Sequence, residues 1–514
     1  MNTPTHVQRA FGILLGLVIL ALVASPAAAS DWPRFHGADG KGISPDTQPL
    51  PVKWSETQNL KWKYKLPGPG SSSPIVVGHR VLVTCWTGYG VDRDNVGDEK
   101  DLRRHLICLD RDNGKLLWDV SVAAVLPEDP YSGMFTQHGY ASHTPVSDGQ
   151  RVFVFFGKTG VLAFDLEGKK LWQTSVGTGS GPHGWGTASS PILYKNLVIV
   201  TASAESQSLV ALDKETGNEV WRRADAGFSG TWGTPILVDC GKGRTDLVIA
   251  VPFKVWGFNP DDGKPRWQCE GLSTDSICSS AIAQGDVVYV LETGPRGGGT
   301  MAVRAGGEGD VTKTHVLWRG TQRSRIGTPV VDDGRIYWFG NHTANSVDAA
   351  TGKQVYQTSV GGGATSPTPG PGQPGPGQPG PGQAAPAQGG PGQAGPGQAV
   401  AGQPGAGQPG FGPPGPGAQG RKPGGPGRRP GGGFGGRGGM RGQDYASPVL
   451  VNGKIYFLAR TGEAFVYAAG PEFKLLAQNR FASDGGDFSS TPAISDGQLF
   501  IRSSKYLYCV AGAD

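Results

Sequence analysis

The sequence lacks the short motifs that mark common catalytic and metal centres. It contains no H-E-x-x-H, no G-x-S-x-G and no Walker phosphate loop, and none of its six cysteines is adjacent to another or forms a C-x-x-C pair. The nine histidines lack the close spacing of a metal site, and the acidic loop 92–101 does not fit the EF-hand template. These absences exclude the usual signatures of zinc proteases, serine hydrolases and P-loop enzymes, so the sequence predicts no metal site and no catalytic residue.

The N-terminal segment, residues 1–29, has the features of a secretory signal peptide. Arg9 precedes an apolar run from Ala10 to Ala24, and small residues end the segment before Ser30. The apolar run is shorter than the roughly 20 residues that a membrane-spanning helix needs. No cysteine follows the small residues, which argues against a lipoprotein anchor. We therefore expect an exported, periplasmic or extracellular protein with no membrane span after cleavage of the signal.

Residues 361–443 contain no acidic residue and consist mostly of glycine, proline, glutamine and alanine. Their glycines alternate two and three positions apart, which excludes collagen because its triple helix needs glycine at every third position. The composition predicts a disordered insert. An inert spacer and contact with an anionic envelope surface are both compatible with its basic end, and RNA binding is disfavoured in an exported protein. The basic residues are Arg421, Lys422, Arg428, Arg429, Arg437 and Arg441.

The basic character of the chain is confined to its two unusual segments. The formal net charge of +5 becomes −2 when Arg9 and the six basic insert residues are set aside. Because the remaining chain is not basic, it lacks the electrostatic footprint of a nucleic-acid-binding surface. We expect no nucleic-acid partner for the folded part.

A repeated unit accounts for nearly all of the rest of the chain. In Ser189 to Trp221, four short apolar runs separated by turn residues predict a four-stranded meander. The unit opens with a hydroxyl residue, usually followed by proline, and this opening recurs eight times. The eight openings are Ser73-Pro74, Thr144-Pro145, Ser190-Pro191, Thr234-Pro235, Ser280-Ala281, Thr328-Pro329, Ser447-Pro448 and Thr491-Pro492.

The end of the unit shows how the repeats close. A tryptophan recurs on the fourth strand at Trp118, Trp172, Trp221, Trp267 and Trp318, but the eighth copy stops near Val510 without a fourth strand. An unassigned strand, Leu60 to Leu66, precedes the first copy. The sequence therefore predicts an all-β fold, an eight-bladed β-propeller of four-stranded antiparallel blades, closed by this N-terminal strand and interrupted by the long disordered insert.

The motif of the unit resembles a known family. Ala211-Leu212-Asp213, Thr216-Gly217 and Trp221 match the A-x-D-x-x-T-G-x-x-x-W repeat of the PQQ-like (pyrroloquinoline quinone repeat) β-propeller proteins. The family includes quinoprotein alcohol dehydrogenases and the non-enzymatic B-subunit lipoprotein of outer-membrane barrel assembly. Residues Asp31 to Gly37 resemble the lead-in of secreted bacterial members, and we expect an irregular segment that packs against the propeller. The resemblance implies the fold, whereas activity is not implied by fold alone.

Physical reasons for the motif can be given without the family. The turn glycines Gly114, Gly168, Gly217, Gly263 and Gly352 are predicted to adopt a positive φ angle. The tryptophans are predicted to wedge against the next sheet as core residues.

The predicted domains are a signal peptide at 1–29, propeller at 30–360, the insert at 361–443 and propeller at 444–514. Cys85 and Cys108, on neighbouring strands, are the first pair to test for a disulfide.

Two functions are compatible with this sequence. The first is a secreted, non-catalytic scaffold or binding module of the bacterial cell envelope, without a cofactor, whose partner is an envelope protein or a polysaccharide. The alternative is a PQQ- and calcium-dependent quinoprotein dehydrogenase, as the resemblance implies. Long connections between blades should meet around the central channel and form a binding face. Its candidate ligand-binding residues are His138, Tyr140, His143, His183, Trp185, Trp232, Arg325 and Asp487.

Overall fold

The computed structural model describes residues 30–181, 184–292, 299–322, 324, 326–340, 342–360 and 443–512. These residues form eight sheets of sequence-adjacent antiparallel strands arranged as a propeller, which confirms the predicted all-β, eight-bladed fold. The predicted signal segment and all but the last residue of the predicted insert lie outside the described residues. No helix in the described ranges is long and apolar enough to cross a membrane.

The strands are numbered β1 to β33 in chain order, and each blade is built from consecutive strands. They are β1 (Leu60–Lys65); β2 (Ile75–Val77), β3 (Arg80–Thr87), β4 (Arg103–Asp110) and β5 (Leu116–Ala123) in blade 1; β6 (Val146–Ser147), β7 (Arg151–Phe155), β8 (Val161–Asp165) and β9 (Lys170–Thr174) in blade 2; β10 (Ile192–Tyr194), β11 (Leu197–Ala202), β12 (Ser208–Asp213) and β13 (Glu219–Ala224) in blade 3; β14 (Ile236–Asp239), β15 (Thr245–Val251), β16 (Lys254–Phe258) and β17 (Pro265–Glu270) in blade 4.

The second half continues in the same way. Its strands are β18 (Ile282–Gln284), β19 (Val287–Leu291), β20 (Thr300–Arg304), β21 (Gly309–Asp310) and β22 (Val316–Gly320) in the blade 5 segment; β23 (Val330–Asp332), β24 (Arg335–Gly340), β25 (Thr343–Asp348) and β26 (Gln354–Ser359) in blade 6; β27 (Val449–Val451), β28 (Lys454–Leu458), β29 (Glu463–Ala468) and β30 (Lys474–Arg480) in blade 7; β31 (Ala493–Ser495), β32 (Gln498–Arg502) and β33 (Tyr506–Ala511) in blade 8. One short α-helix, α1 (Phe135–His138), lies between blades 1 and 2.

The middle strands of each blade are apolar on both faces because each blade packs between two others. In β11, Val198 and Val200 contact blade 2, whereas Leu197 and Ile199 contact blade 4. Successive side chains of a strand point to opposite faces, so both faces of such a strand need apolar residues. The outer strand β13 instead alternates between exposed and more buried residues. The decrease in burial from the middle strands to the outer strand explains why the middle strands are continuous apolar runs in the sequence.

The ring closes through the N-terminal strand, as predicted. Strand β1 pairs antiparallel with β33, and Lys63 lies opposite Tyr508. The sheet order is β1-β33-β32-β31, so blade 8 receives its outer strand from the N-terminus and its other three strands from the C-terminus. Both ends of the propeller therefore share one blade.

The repeated hydroxyl residues form a closed ring of hydrogen bonds between blades. The backbone N–H of each opening residue donates to the side-chain oxygen of the opening residue in the next blade, at 2.9–3.1 Å, and Thr491 donates back to Ser73. Blade 5, which has Ala281 in place of proline, keeps its place in the ring through Ser280. The hydroxyl group is therefore the feature of the opening that connects the blades.

We expect Thr234→Val to destabilise the fold by about 1–3 kcal/mol, because the buried N–H of Ser190 loses its acceptor while the side-chain volume is kept. Chemical unfolding measures this difference directly. The exposed Thr178 provides the matched control, and Thr178→Val should change stability by less than about 0.5 kcal/mol. Equal effects of the two substitutions would contradict a stabilising role of the ring.

A tryptophan and a glycine connect neighbouring blades at five seams. The indole N–H on the outer strand of one blade donates, at 2.7–3.2 Å, to a carbonyl in a turn of the next blade. The turn glycine has φ between 68° and 85°, as predicted, and an added Cβ would lie 2.4–2.8 Å from the indole ring. Glycine is therefore needed at this position for two reasons: the backbone has a positive φ angle, and any side chain would clash with the indole ring. The pairs are Trp62–Gly114, Trp118–Gly168, Trp172–Gly217, Trp221–Gly263 and Trp318–Gly352.

Blade 4 departs from this pattern and from the predicted four strands. The strand β21, which belongs to the segment of blade 5, pairs in parallel with β17 and makes blade 4 five-stranded. Blade 5 has a longer connection here in place of the short glycine turn. The indole N–H of Trp267 instead donates to the buried carboxylate of Asp246 at 2.7 Å, which also accepts from the N–H of Gly306 at 3.0 Å. Asp246 thus links Trp267 of blade 4 to Gly306 of the blade 5 segment, in place of a direct hydrogen bond from the tryptophan to a turn of the next blade.

The suggested disulfide between Cys85 and Cys108 is wrong. Neither cysteine is in a disulfide. Cys85 lies opposite His105, whereas Cys108 lies opposite Leu82, three positions along the ladder. An odd offset puts the two side chains on opposite faces of the sheet, and they belong to different apolar clusters. Both cysteines are buried core residues.

Candidate functional site

The meander topology gathers two sets of loops on one side of the ring. In an antiparallel meander, the turn between the second and third strands lies at the same end as the connection to the next blade. We call this side the channel face. It carries the candidate residues on the connections between blades 1 and 2, 2 and 3, 3 and 4, and 7 and 8. His183 and Arg325 lie outside the described residues.

Three successive connections pack against one another on the channel face. His138 lies with its Nε2 atom 2.9 Å from the carbonyl oxygen of Trp185. The rings of Trp185 and Trp232 are 5.0 Å apart between centroids, and the Trp232 indole N–H donates to Gly186. Tyr140 packs against Phe135 of α1 at 5.0 Å. The structure thus brings four of the predicted residues into one assembly.

The short helix α1 also contacts blade 7, two positions before blade 1 in the ring. Arg460, in the turn between β28 and β29 of blade 7, donates from Nη2 to the carbonyl of Gln137 at 2.9 Å. The same guanidinium pairs with Asp487, and Arg93 donates to the carbonyl of Thr136. Because α1 contacts elements from blade 7 round to the connection between blades 2 and 3, it lies over the mouth of the channel. His138 and Asp487 line the same cavity beside it, of about 160 Å³.

Two buried ion pairs lie beneath this connection, and the sequence did not single out their residues. Arg104 pairs with Glu128, and the Lys158 Nζ atom lies 3.1 Å from the Asp129 carboxylate. All four side chains are at least nine-tenths buried. Glu128, Asp129 and Lys158 lie in turns or connections, and Arg104 lies near the start of β4, so no sequence pattern marks the four together. Each of these four charges is paired with an opposite charge inside the protein.

Two further buried titratable groups line the same small cavity, of about 20 Å³. Burial raises the pKa of Glu205 to about 8, and burial lowers the pKa of His143 to about 3. The pKa of His138 is also lowered by burial, to about 4. Both histidines are therefore uncharged at neutral pH. Tyr140 and His143 share this cavity, which has room for a water molecule and for little more.

The N-terminal lead-in occupies the interior of the ring. Trp32 forms a bridge with Val76 on the free edge of β2, and Ile43 forms one with Leu450 on the free edge of β27. Each first strand is innermost in its blade, so these free edges face the channel. Pro33 also accepts from the N–H of Ser147 in blade 2 at 2.9 Å. The expected irregular segment is thus present, and it packs along the inner edges of blades 1, 2 and 7.

The fold family implies a planar quinone and a calcium ion at this face. Whether calcium could bind depends on the oxygen ligands that the residues of this face offer. Calcium needs several oxygen ligands. Among the described residues, no group of three or more His, Cys, Asp or Glu side chains could hold a metal ion. The carboxylates of Glu128 and Asp129 are already paired with Arg104 and Lys158. These two carboxylates are therefore not free to bind calcium.

Comparisons with known proteins agree with the architecture. The family model described as outer membrane protein assembly factor BamB matches residues 96–226 and 202–372. The structure of BamB from Moraxella catarrhalis aligns with a TM-score of 0.50 and 8% identity, covering 88% of this chain and 98% of that one. No curated protein sequence matches the chain significantly.

Two dehydrogenase structures also align. The quinohemoprotein alcohol dehydrogenase from Comamonas testosteroni has a TM-score of 0.55 and 10% identity, with coverage of 96% of this chain and 82% of that one. A europium-containing methanol dehydrogenase has a TM-score of 0.54 and 10% identity, with coverage of 93% and 98%. At these identities the likeness establishes the fold alone. The family match, which spans more than half of the sequence, and the repeat motif together place the chain in the PQQ-like repeat β-propeller family.

Proposed function

We propose that this protein is a non-catalytic scaffold or binding module of the bacterial cell envelope. The observation that carries the proposal is the covering of the channel by two segments. The lead-in lies along the inner strand edges of blades 1, 2 and 7, and α1 lies over the mouth of the channel, held by Arg460 and by the Trp185 connection. The cavities of about 20 and 160 Å³ at this face are smaller than the roughly 300–1,000 Å³ of typical small-molecule pockets. A macromolecular partner suits such a closed surface better than an enclosed substrate.

The binding face is the assembly of connections around α1. Trp185 and Trp232 are half-buried and in contact at an interplanar angle of 37°. Aromatic residues of this kind are enriched where protein surfaces make strong contacts. Arg93 is exposed, contacts α1 through the carbonyl of Thr136 and supplies a charged rim. The partner is an envelope protein or a polysaccharide. Export rests on the predicted signal peptide, and the basic end of the insert would bring the protein to anionic surfaces.

The alternative, a quinoprotein dehydrogenase, is tested by activity. We expect purified protein incubated with PQQ and Ca²⁺ to leave an artificial electron-acceptor dye unreduced with alcohols and sugars, because the described channel face offers no set of calcium ligands. A known quinoprotein dehydrogenase serves as the positive control. Turnover that depends on both PQQ and Ca²⁺ would overturn the non-catalytic function.

The binding face is tested by capture of partners from envelope extract. We expect Trp185→Ala and Trp232→Ala each to weaken capture by the immobilised protein, with little change in the unfolding midpoint. The exposed Leu317, on the outer strand of blade 5, provides the control Leu317→Ala. If stability and capture fall together, the two tryptophans only pack the connections. Loss of capture only after substitutions in residues 94–101, which leave out Arg93, would place the binding face elsewhere.

A further inference from the structure

A separate cavity of about 360 Å³ lies on the rim, between blades 3 and 4, and the connections around α1 do not line it. It exists because blade 4 is one strand wider than blade 3. The extra strand β21 continues the sheet of blade 4 outward, whereas the sheet of blade 3 ends at β13. The face of blade 4 therefore projects past the edge of blade 3. Gly309 and Asp310 of β21 form part of the cavity wall.

The cavity contains one partly exposed, firmly held tryptophan. Trp256, on β16, is half-buried, whereas the two other aromatic residues of the wall, Phe258 and Trp267, are only 2% exposed. The Trp256 ring meets Phe228 and Phe258 edge to face, at centroid distances of 5.0 and 5.9 Å and interplanar angles of 86°. These contacts fix the orientation of the indole. A fixed aromatic surface at a cavity is suited to stacking against the apolar C–H face of a sugar ring.

Polar groups around Trp256 are oriented by protein contacts and keep unused bonding capacity. Arg266 donates from Nη1 to Asp246 at 2.6 Å, and Gln268 accepts from Lys254 at 3.3 Å through its amide oxygen. Within the described residues, the Arg266 Nη2 and Gln268 Nε2 atoms have no acceptor. Asp310 accepts from the N–H of Thr312 through one oxygen, at 2.9 Å, and retains a second. Planar donors and acceptors fixed in this way suit the vicinal hydroxyl groups of a saccharide.

The charges of the cavity wall are balanced. Arg223 and Arg266 are matched by Asp225 and Asp310, and Arg223 lies 3.6 Å from the Asp225 carboxylate. A wall with no net charge of its own offers no preference for an anionic ligand over a neutral one. We propose that this cavity binds a neutral saccharide unit of a glycan, stacked on Trp256 and hydrogen-bonded by Arg266, Gln268 and Asp310. This site is additional to the proposed binding face and does not depend on it.

Titration calorimetry of the full mature chain with cellohexaose, maltohexaose and chitohexaose tests the site. We expect at least one of these neutral hexasaccharides to bind, and Trp256→Ala and Gln268→Ala each to weaken its affinity by about tenfold. Gln268 is half-buried and smaller than Trp256, so Gln268→Ala removes less of the packing and keeps the site testable if Trp256→Ala fails to fold. Leu317→Ala, on another outer strand, should leave the affinity unchanged.

The other outcomes each count against the site. Failure of all three neutral hexasaccharides to bind would overturn it, as would tighter binding of a galacturonic acid hexamer or of a short apolar peptide. Affinity that falls with Trp185→Ala but not with Gln268→Ala would move the saccharide to the channel face. The dye-reduction result is independent of all these outcomes, so failure of this site and failure of the non-catalytic function can be distinguished.

Discussion

Deletion of residues 59–66 is expected to abolish cooperative folding of the whole propeller. The deletion removes β1, leaves β33 without its partner and takes away two buried core residues, Trp62 and Leu66. The loss of Trp62 also breaks the contact with blade 1, since its indole N–H donates to Arg111 at 2.7 Å. Truncating one such residue costs about 2–5 kcal/mol, and a whole domain is stable by only about 5–15 kcal/mol. The shortened chain should therefore aggregate or unfold at room temperature.

The control for this deletion is the removal of residues 365–440, which the composition predicts to be dispensable. The entropy of loop closure varies only logarithmically with loop length, so the unfolding midpoint should hardly move. Circular dichroism during heating measures both variants. A closing-strand deletion that unfolds at the midpoint of the intact protein would contradict closure through β1. Failure of the insert deletion to fold would show that the insert contributes structure.

Local patterns in the sequence were sufficient to predict the architecture. The openings at Ser190 and Thr234, the tryptophan at Trp221 and the turn glycines fix the number of strands, because each marks one position in a repeated unit. The partners of these residues could not be predicted in the same way. The hydrogen bond from Ser190 to Thr234 joins different blades, and its role appears only when all eight copies are arranged in a circle. The contact between Trp221 and Gly263 also joins two blades and could not be predicted from the local pattern.

Features that occur once were the ones that sequence patterns could not predict. The lead-in pairs with β27 through Ile43 and Leu450, more than 400 positions apart, and no repeat signals that contact. The fifth strand of blade 4 is two residues long, too short for a periodic pattern. On the channel face, aromatic residues such as Trp185 and Trp232 stood out in glycine-rich connections. The buried pair Lys158–Asp129 did not, because charged residues in loops are normally solvated.

Trp221→Ala is expected to lower the free energy of unfolding by about 3–5 kcal/mol, as for other large-to-small substitutions of buried aromatic residues. Only 9% of this side chain is exposed, and it packs against blade 4 beside Gly263. Its indole N–H donates to the carbonyl of Pro260 at 3.2 Å. The substitution therefore opens a cavity at the seam between blades 3 and 4 and leaves a carbonyl without its donor.

Two further variants separate these contributions. Trp221→Phe keeps most of the ring and loses the hydrogen bond to Pro260, so it should destabilise the protein less than Trp221→Ala does. Val220 precedes it on the same strand and is 50% exposed, so Val220→Ala should change stability by less than about 0.5 kcal/mol. Urea unfolding measures the loss of stability in each of the three variants and therefore ranks them directly. A loss below 1 kcal/mol in Trp221→Ala would mean that the ring does not hold the two blades together, and the same reasoning would then fail at the four other seams where a tryptophan meets a turn glycine.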